Sequence, residues 1–140
     1  MTQYQLTLND RQIETLLRAL DVYSRVGCGQ FERILEMFRG DPRRREDSTI
    51  EWETLFRVFK QQLLSLEENA SYSICSTEVP VDYRLAWDML QVVRHHVAWE
   101  KQPEGGHLVQ FDSPMDTSGL PFCTIETVDT LTSRPRSGHD

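Results

Sequence analysis

Residues 20–38, Leu20-Asp21-Val22-Tyr23-Ser24-Arg25-Val26-Gly27-Cys28-Gly29-Gln30-Phe31-Glu32-Arg33-Ile34-Leu35-Glu36-Met37-Phe38, decide the fold: one helical pattern stops at a glycine-spaced corner and a second begins. Before the corner, Ile13, Leu16, Leu17, Leu20 and either Tyr23 or Ser24 recur at the spacing of one helix face, as far as Arg25. After it, Phe31, Ile34, Leu35 and Phe38 resume that spacing. Glycine takes positive φ without a steric penalty, which suits Gly27 to a helix C-terminal cap and Gly29 to a tight entry into the next element.

The same corner is the candidate binding site. The first turn of a helix leaves amide donors without internal partners and carries a partial positive charge. A guanidinium beside it adds a fork of donors shaped for phosphate or carboxylate. Tyr23 is placed to stack on a base, with Arg25, Arg94 and the glycine corner gripping phosphates. The candidate ligand-binding residues are therefore Tyr23, Arg25, Gly27, Gly29, Gln30 and Arg94. A structural role for Arg25 carries more weight on general grounds, because a half-buried arginine commonly pairs with a carboxylate, here Asp21 or Asp88.

Outward from the corner, Asn9 is a good N-cap for the first helix, and Tyr4 to Leu8 alternate as a short strand does. Arg39 to Asp47 combine Gly40, Pro42 and dense charge in an exposed loop, where Glu46 and Asp47 offset the triple arginine at 43–45. Ser48-Thr49-Ile50-Glu51 reads as a capping box opening a long helix to about Glu68. Trp52, Leu55, Phe56, Phe59, Leu63 and Leu66 give it a broad apolar face, widened by Val58 and Leu64. This helix is expected to be central to packing, and any exposed part of its face to mark an oligomer contact.

Residues 69–80 read as a connection crossing the bundle. Asp82 is placed to cap a fourth helix that carries Leu85, Ala86, Met89, Leu90, Val93 and Val97 and ends near Trp99. His107 to Phe111 have the pattern of a second short strand, and residues 129–140 that of a flexible tail. The expectation is a mainly α protein: a compact bundle of about four helices in a single domain over 1–128, with a small antiparallel β element from the terminal segments.

Length and composition bound the function. At 140 residues, 39% hydrophobic and 26% charged, the chain can bury a core without metal or disulfide support. Cys28, Cys75 and Cys123 are odd in number and widely spaced, which argues against a disulfide framework. His95 and His96 point about 100° apart on a helix, so they suit no shared metal, and no cofactor is expected. No stretch has the length and apolarity of a membrane span or a secretory signal, which implies a cytoplasmic protein. The net charge of −7 disfavours duplex DNA. It is concentrated in residues 46–100, which carry 4 basic and 10 acidic groups, so a basic protein partner fits.

Three stretches carry a resemblance: Ala19 to Phe31, with its Tyr-Ser-Arg-x-Gly-x-Gly-Gln-Phe pattern; Ala86 to His96; and Val109 to Met115. They resemble small accessory proteins of tailed phages and prophages, over most of residues 10–115. Cys28 departs from the pattern, where a larger apolar residue is expected, so no thiol chemistry is carried over. The resemblance implies a viral protein acting in a bacterial cytoplasm and attaches no established activity. With no catalytic motif in the chain, it leads to a non-enzymatic protein that counters host defence by sequestering a small anionic nucleotide signal. The alternative is an acidic interaction module that binds and inhibits a host protein complex. A homo-oligomer is expected in either case.

Overall fold

The computed structural model describes residues 1–47 and 49–128. Four helices, α1 (Asp10–Gly27), α2 (Glu32–Met37), α3 (Trp52–Leu64) and α4 (Val81–Lys101), form a mainly α bundle, followed by a 3-10 turn at Val109–Phe111. Ser48 and the tail expected over 129–140 lie outside the described residues.

Each helix starts and stops for a local reason. Asn9 caps α1 by accepting the Gln12 N–H at 2.9 Å, while the Gln12 side chain accepts the Asn9 N–H at 2.9 Å. At the other end, Gly29 N–H reaches the Val26 carbonyl and Gln30 N–H the Arg25 carbonyl, with Gly29 at φ +95°. That pair of bonds is a Schellman closure, and Gly29 supplies its left-handed residue. Gly27, expected as the cap, is instead the last helical residue. Its missing side chain is required by packing, because the Tyr83 ring of α4 occupies the space a Cβ would need.

The central helix is α4, not α3. One face of α4, with Tyr83, Ala86, Trp87, Leu90, Val93 and Arg94, turns to α1 and the crossing segment. The adjacent stripe, Arg84, Asp88 and Gln91, receives the extended chain after the 3-10 turn. Gln91 exchanges two hydrogen bonds of 2.9 Å with the Met115 backbone, and Arg84 donates to the Thr117 carbonyl at 3.0 Å. Covered on two sides, α4 supplies Ala86, Leu90, Val93 and Ala98 to a core completed by Cys28, Phe31, Val79 and Phe111.

α3 lies at the edge, with Lys60 its one buried side chain, donating to the Glu68 carbonyl at 3.2 Å. It begins at Trp52 and ends at Leu64, short of Glu68, because Ser65 turns left-handed at φ 55°. The capping box expected at Ser48 falls outside the described residues; Glu51 occupies the N-cap position. Likewise α4 begins one residue before Asp82, which sits in its first turn rather than capping it, and runs on to Lys101.

Among the described residues there is no strand. A lone strand has no ladder for its backbone groups, and no backbone hydrogen bond among the described residues joins the two expected segments. Tyr4 and Leu6 stay exposed, while Val109–Phe111 wind into the 3-10 turn that buries Phe111 edge-on against Trp99, ring centres 5.6 Å apart. No helix among the described residues is long and apolar enough to cross a membrane.

Candidate functional site

The corner places Arg25 on the last turn of α1, where a positive charge suits the helix dipole. Its Nε donates to Asp21 Oδ1 at 2.7 Å, one turn back on the same helix, and its Nη1 to Gln30 Oε1 at 3.3 Å. The pair is not sealed: side-chain exposure is 29% for Arg25 and 31% for Asp21. The guanidinium borders a hollow of about 350 Å³ between the corner, α4 and the crossing segment. Gln30, Trp87, Ser71, Tyr72 and Ser73 border it as well, and Cys28 lies at its base.

The crossing segment is held there by Tyr72, whose N–H donates to the Cys28 carbonyl at 2.9 Å. That bond sets Ser71 and Ser73 on the hollow that Arg25 also lines, with the Ser73 oxygen accepting the Cys75 N–H at 3.2 Å.

Arg94 arrives from α4. Two guanidinium groups converge on one indole: the Arg25 Cζ lies 5.1 Å and the Arg94 Cζ 5.8 Å from the Trp87 ring centre. The Arg94 Nε is buried without a hydrogen-bond partner among the described residues. Burial pushes the Arg94 guanidinium below its ordinary pKa; Asp21 opposes that, Arg25 adds to it and Asp112 opposes it. Two cations and two carboxylates thus share this end of the bundle, which leaves a polar, nearly neutral patch rather than a strongly positive one.

Of the six candidate residues, Arg25 and Gln30 line the hollow, and Arg94 stands beside them through Trp87. Tyr23 does not line it; its ring packs on Tyr83, centroids 4.9 Å apart. Gly27 and Gly29 act in packing and chain reversal, and Gly29 lies against the Leu66 side chain. The free helix N-terminus expected after the corner is absent as well. The Gln30 amide is consumed by the Arg25 carbonyl, and at the start of the six-residue α2 the Arg33 and Ile34 amides bond the Gln30 and Phe31 carbonyls at 3.2 and 3.0 Å.

Trp87 is the residue the motif reading missed. Its signal was positional: it stands four residues after Tyr83 and seven before Arg94, on the α4 face that meets α1. Ser71 and Ser73 had no signal, since only the Tyr72 bond to Cys28 brings them in.

Other charged clusters are engaged elsewhere. Arg43 holds Asp41 at 2.7 and 3.1 Å and so lowers its pKa to about 2, and Arg45 pairs with Asp47 at 3.2 Å. A larger, shallower hollow of about 590 Å³ lies along the end of α4, between His95, His96, Trp99 and Ile125. There His96 is bound to the Thr127 hydroxyl at 2.9 Å and lies 3.8 Å from the Glu100 carboxylate, and no Lys or Arg lines the hollow among the described residues. No group of three or more potential metal ligands occurs among the described residues.

A scan against protein-family models found no match, and searches of curated proteins and of solved structures found no similar chain.

Proposed function

We propose that the chain is a non-enzymatic binding protein that holds a small anionic, nucleotide-type ligand in the hollow between Arg25 and Trp87. In the setting implied by the phage resemblance, it acts in a bacterial cytoplasm and counters host defence by sequestering a nucleotide signal.

The observation that carries this reading is the convergence of Arg25 and Arg94 on Trp87 beside an open hollow. A hollow of that volume is at the small end of ligand sites, which suits a mononucleotide or a single phosphate-bearing arm. Arg25 would exchange part of its contact with Asp21 for the ligand anion, while Gln30 and the two serines provide neutral hydrogen bonds. Burial raises the Cys28 thiol pKa, with Arg25 opposing, so Cys28 serves the hollow as an apolar wall rather than as a thiolate.

The test is titration calorimetry and thermal melting of the purified chain with adenosine monophosphate, ADP-ribose, cyclic mononucleotides and cyclic dinucleotides. A saturable signal with one of them that Arg25→Gln abolishes is the expected result. Silence with all of them overturns the reading. Chemical conversion of the ligand during the titration would replace binding by catalysis.

A further inference from the structure

α3 is amphipathic with a face wider than the protein covers. Its inner stripe, Trp52, Phe56, Lys60 and Leu64, turns inward, and Phe56 lies 6.3 Å from Trp52 ring to ring. The adjoining stripe is uncovered: Leu55 is 46% exposed, Val58 51%, Phe59 50% and Leu63 61%. These four stand at i, i+3, i+4 and i+8, a continuous ridge along one side of the helix. Phe59 is the only one whose ring meets another, edge-on to Phe31 at 5.2 Å. Apolar area of this kind in one patch marks an interaction surface.

Charge chooses the occupant. Glu51 stands exposed at the start of α3 and Glu67 just past its end, while Glu53 lies about 120° around the helix from Phe59 and Glu68 folds back onto Arg57 and Lys60. Between Glu46 and Arg84 the only basic residues are Arg57, shared with Glu68 at 3.6 Å, and Lys60, which is buried. A second copy fits this poorly. Crossing antiparallel at Phe59, it would set Glu51 over Glu67 of the other chain, and crossing parallel it would set each of these acids over itself. Like charges placed so cost affinity and slow encounter.

We propose that the exposed ridge of α3 is the docking site for a basic amphipathic helix of a partner protein, whose apolar side covers Leu55, Val58, Phe59 and Leu63 while its Lys and Arg residues meet the acids at both ends. This surface is separate from the Arg25 hollow, so either proposal stands if the other fails.

The experiment uses the full chain and two synthetic helical peptides of equal length, one Leu/Lys and one Leu/Glu, followed by fluorescence anisotropy. The Leu/Lys peptide is expected to bind saturably and the Leu/Glu peptide not. Phe59→Ser with Leu63→Ser, which leaves net charge unchanged, weakens binding about tenfold. Glu51→Gln with Glu67→Gln weakens it at low salt. Circular dichroism confirms that both double variants are folded. The proposal is overturned if both peptides bind alike, if neither binds, or if affinity survives loss of Phe59 and Leu63. It is equally overturned if sedimentation finds a stable dimer that Phe59→Ser with Leu63→Ser dissolves, because a second copy then fills the ridge.

Discussion

The Asp88 carboxylate holds Ser118 twice, taking its backbone N–H at 3.0 Å and its hydroxyl at 2.5 Å through the same oxygen. The other oxygen takes the Thr117 N–H at 2.9 Å and the Thr117 hydroxyl at 2.6 Å. All three residues are buried, so this carboxylate is the anchor of the C-terminal segment on α4. Asp88→Ala leaves several buried donors without an acceptor and should lower stability by about 3 kcal/mol, read from urea unfolding. Limited proteolysis of that variant should cut first between residues 112 and 128. Ser118→Ala, which removes one donor to Asp88 and the acceptor of the Leu120 N–H at 3.1 Å, should cost about 1 kcal/mol.

The two glycines of the corner fail differently when substituted. Gly29→Ala forces a side chain into φ +95° and against Leu66 Cδ1 at 2.9 Å, a penalty of about 1–2 kcal/mol. Gly27→Ala keeps an ordinary helical backbone but drives a methyl into the Tyr83 ring, costing about 1–3 kcal/mol. Pairing each variant with Tyr83→Ala separates the causes: the second loss should shrink in the double variant and the first should not.

Ligand affinity at the hollow should respond in opposite directions to changes within one ion pair. Arg25→Gln and Arg94→Gln should each weaken nucleotide binding about tenfold or more. Asp21→Asn removes the carboxylate that competes for Arg25 and should strengthen it several-fold. Calorimetry on the three variants checks the order, and a decrease for Asp21→Asn would mark the carboxylate as a positioning group.

Stability should fall on the alkaline side. Burial raises the thiol pKa of both Cys28 and Cys123 above the ordinary 9.0, with Arg25 opposing at Cys28. In the folded chain these groups keep their protons longer than in the unfolded chain. Their contribution is therefore whole below 9.0 and is lost as pH climbs through the raised folded values. Urea unfolding compared at about pH 8 and about pH 10.5 checks the sign, and Cys28→Ser with Cys123→Ser should flatten the difference. At pH 8, an alkylating reagent should modify exposed Cys75 well before buried Cys28.

The helices were legible where their signals are local. Asn9 announced the start of α1 and the period of Ile13 to Leu20 its course, because capping and amphipathicity act over one or two turns. What escaped depends on contacts distant in sequence. α3 carries the wider apolar face, yet α4 is central, since Arg84, Asp88 and Gln91 bind a segment through polar contacts that hydrophobic periodicity does not register. The C-terminal segment read as irregular for the same reason: its order comes from side chains about thirty residues away. At the site, Arg25 and Arg94 could be named from the sequence, while their meeting place on Trp87 could not.

The Tyr83 ring lies where Gly27 has no side chain, one turn of α4 before Trp87 and two residues of α1 after Arg25. The distance at which these two rods cross is thereby fixed by the thickness of a single aromatic plate. Any change in that thickness, though made at a residue outside the hollow, widens or narrows the gap between the indole and its cations. Tyr83 is thus the place to alter the width of the cleft without touching any group that lines it.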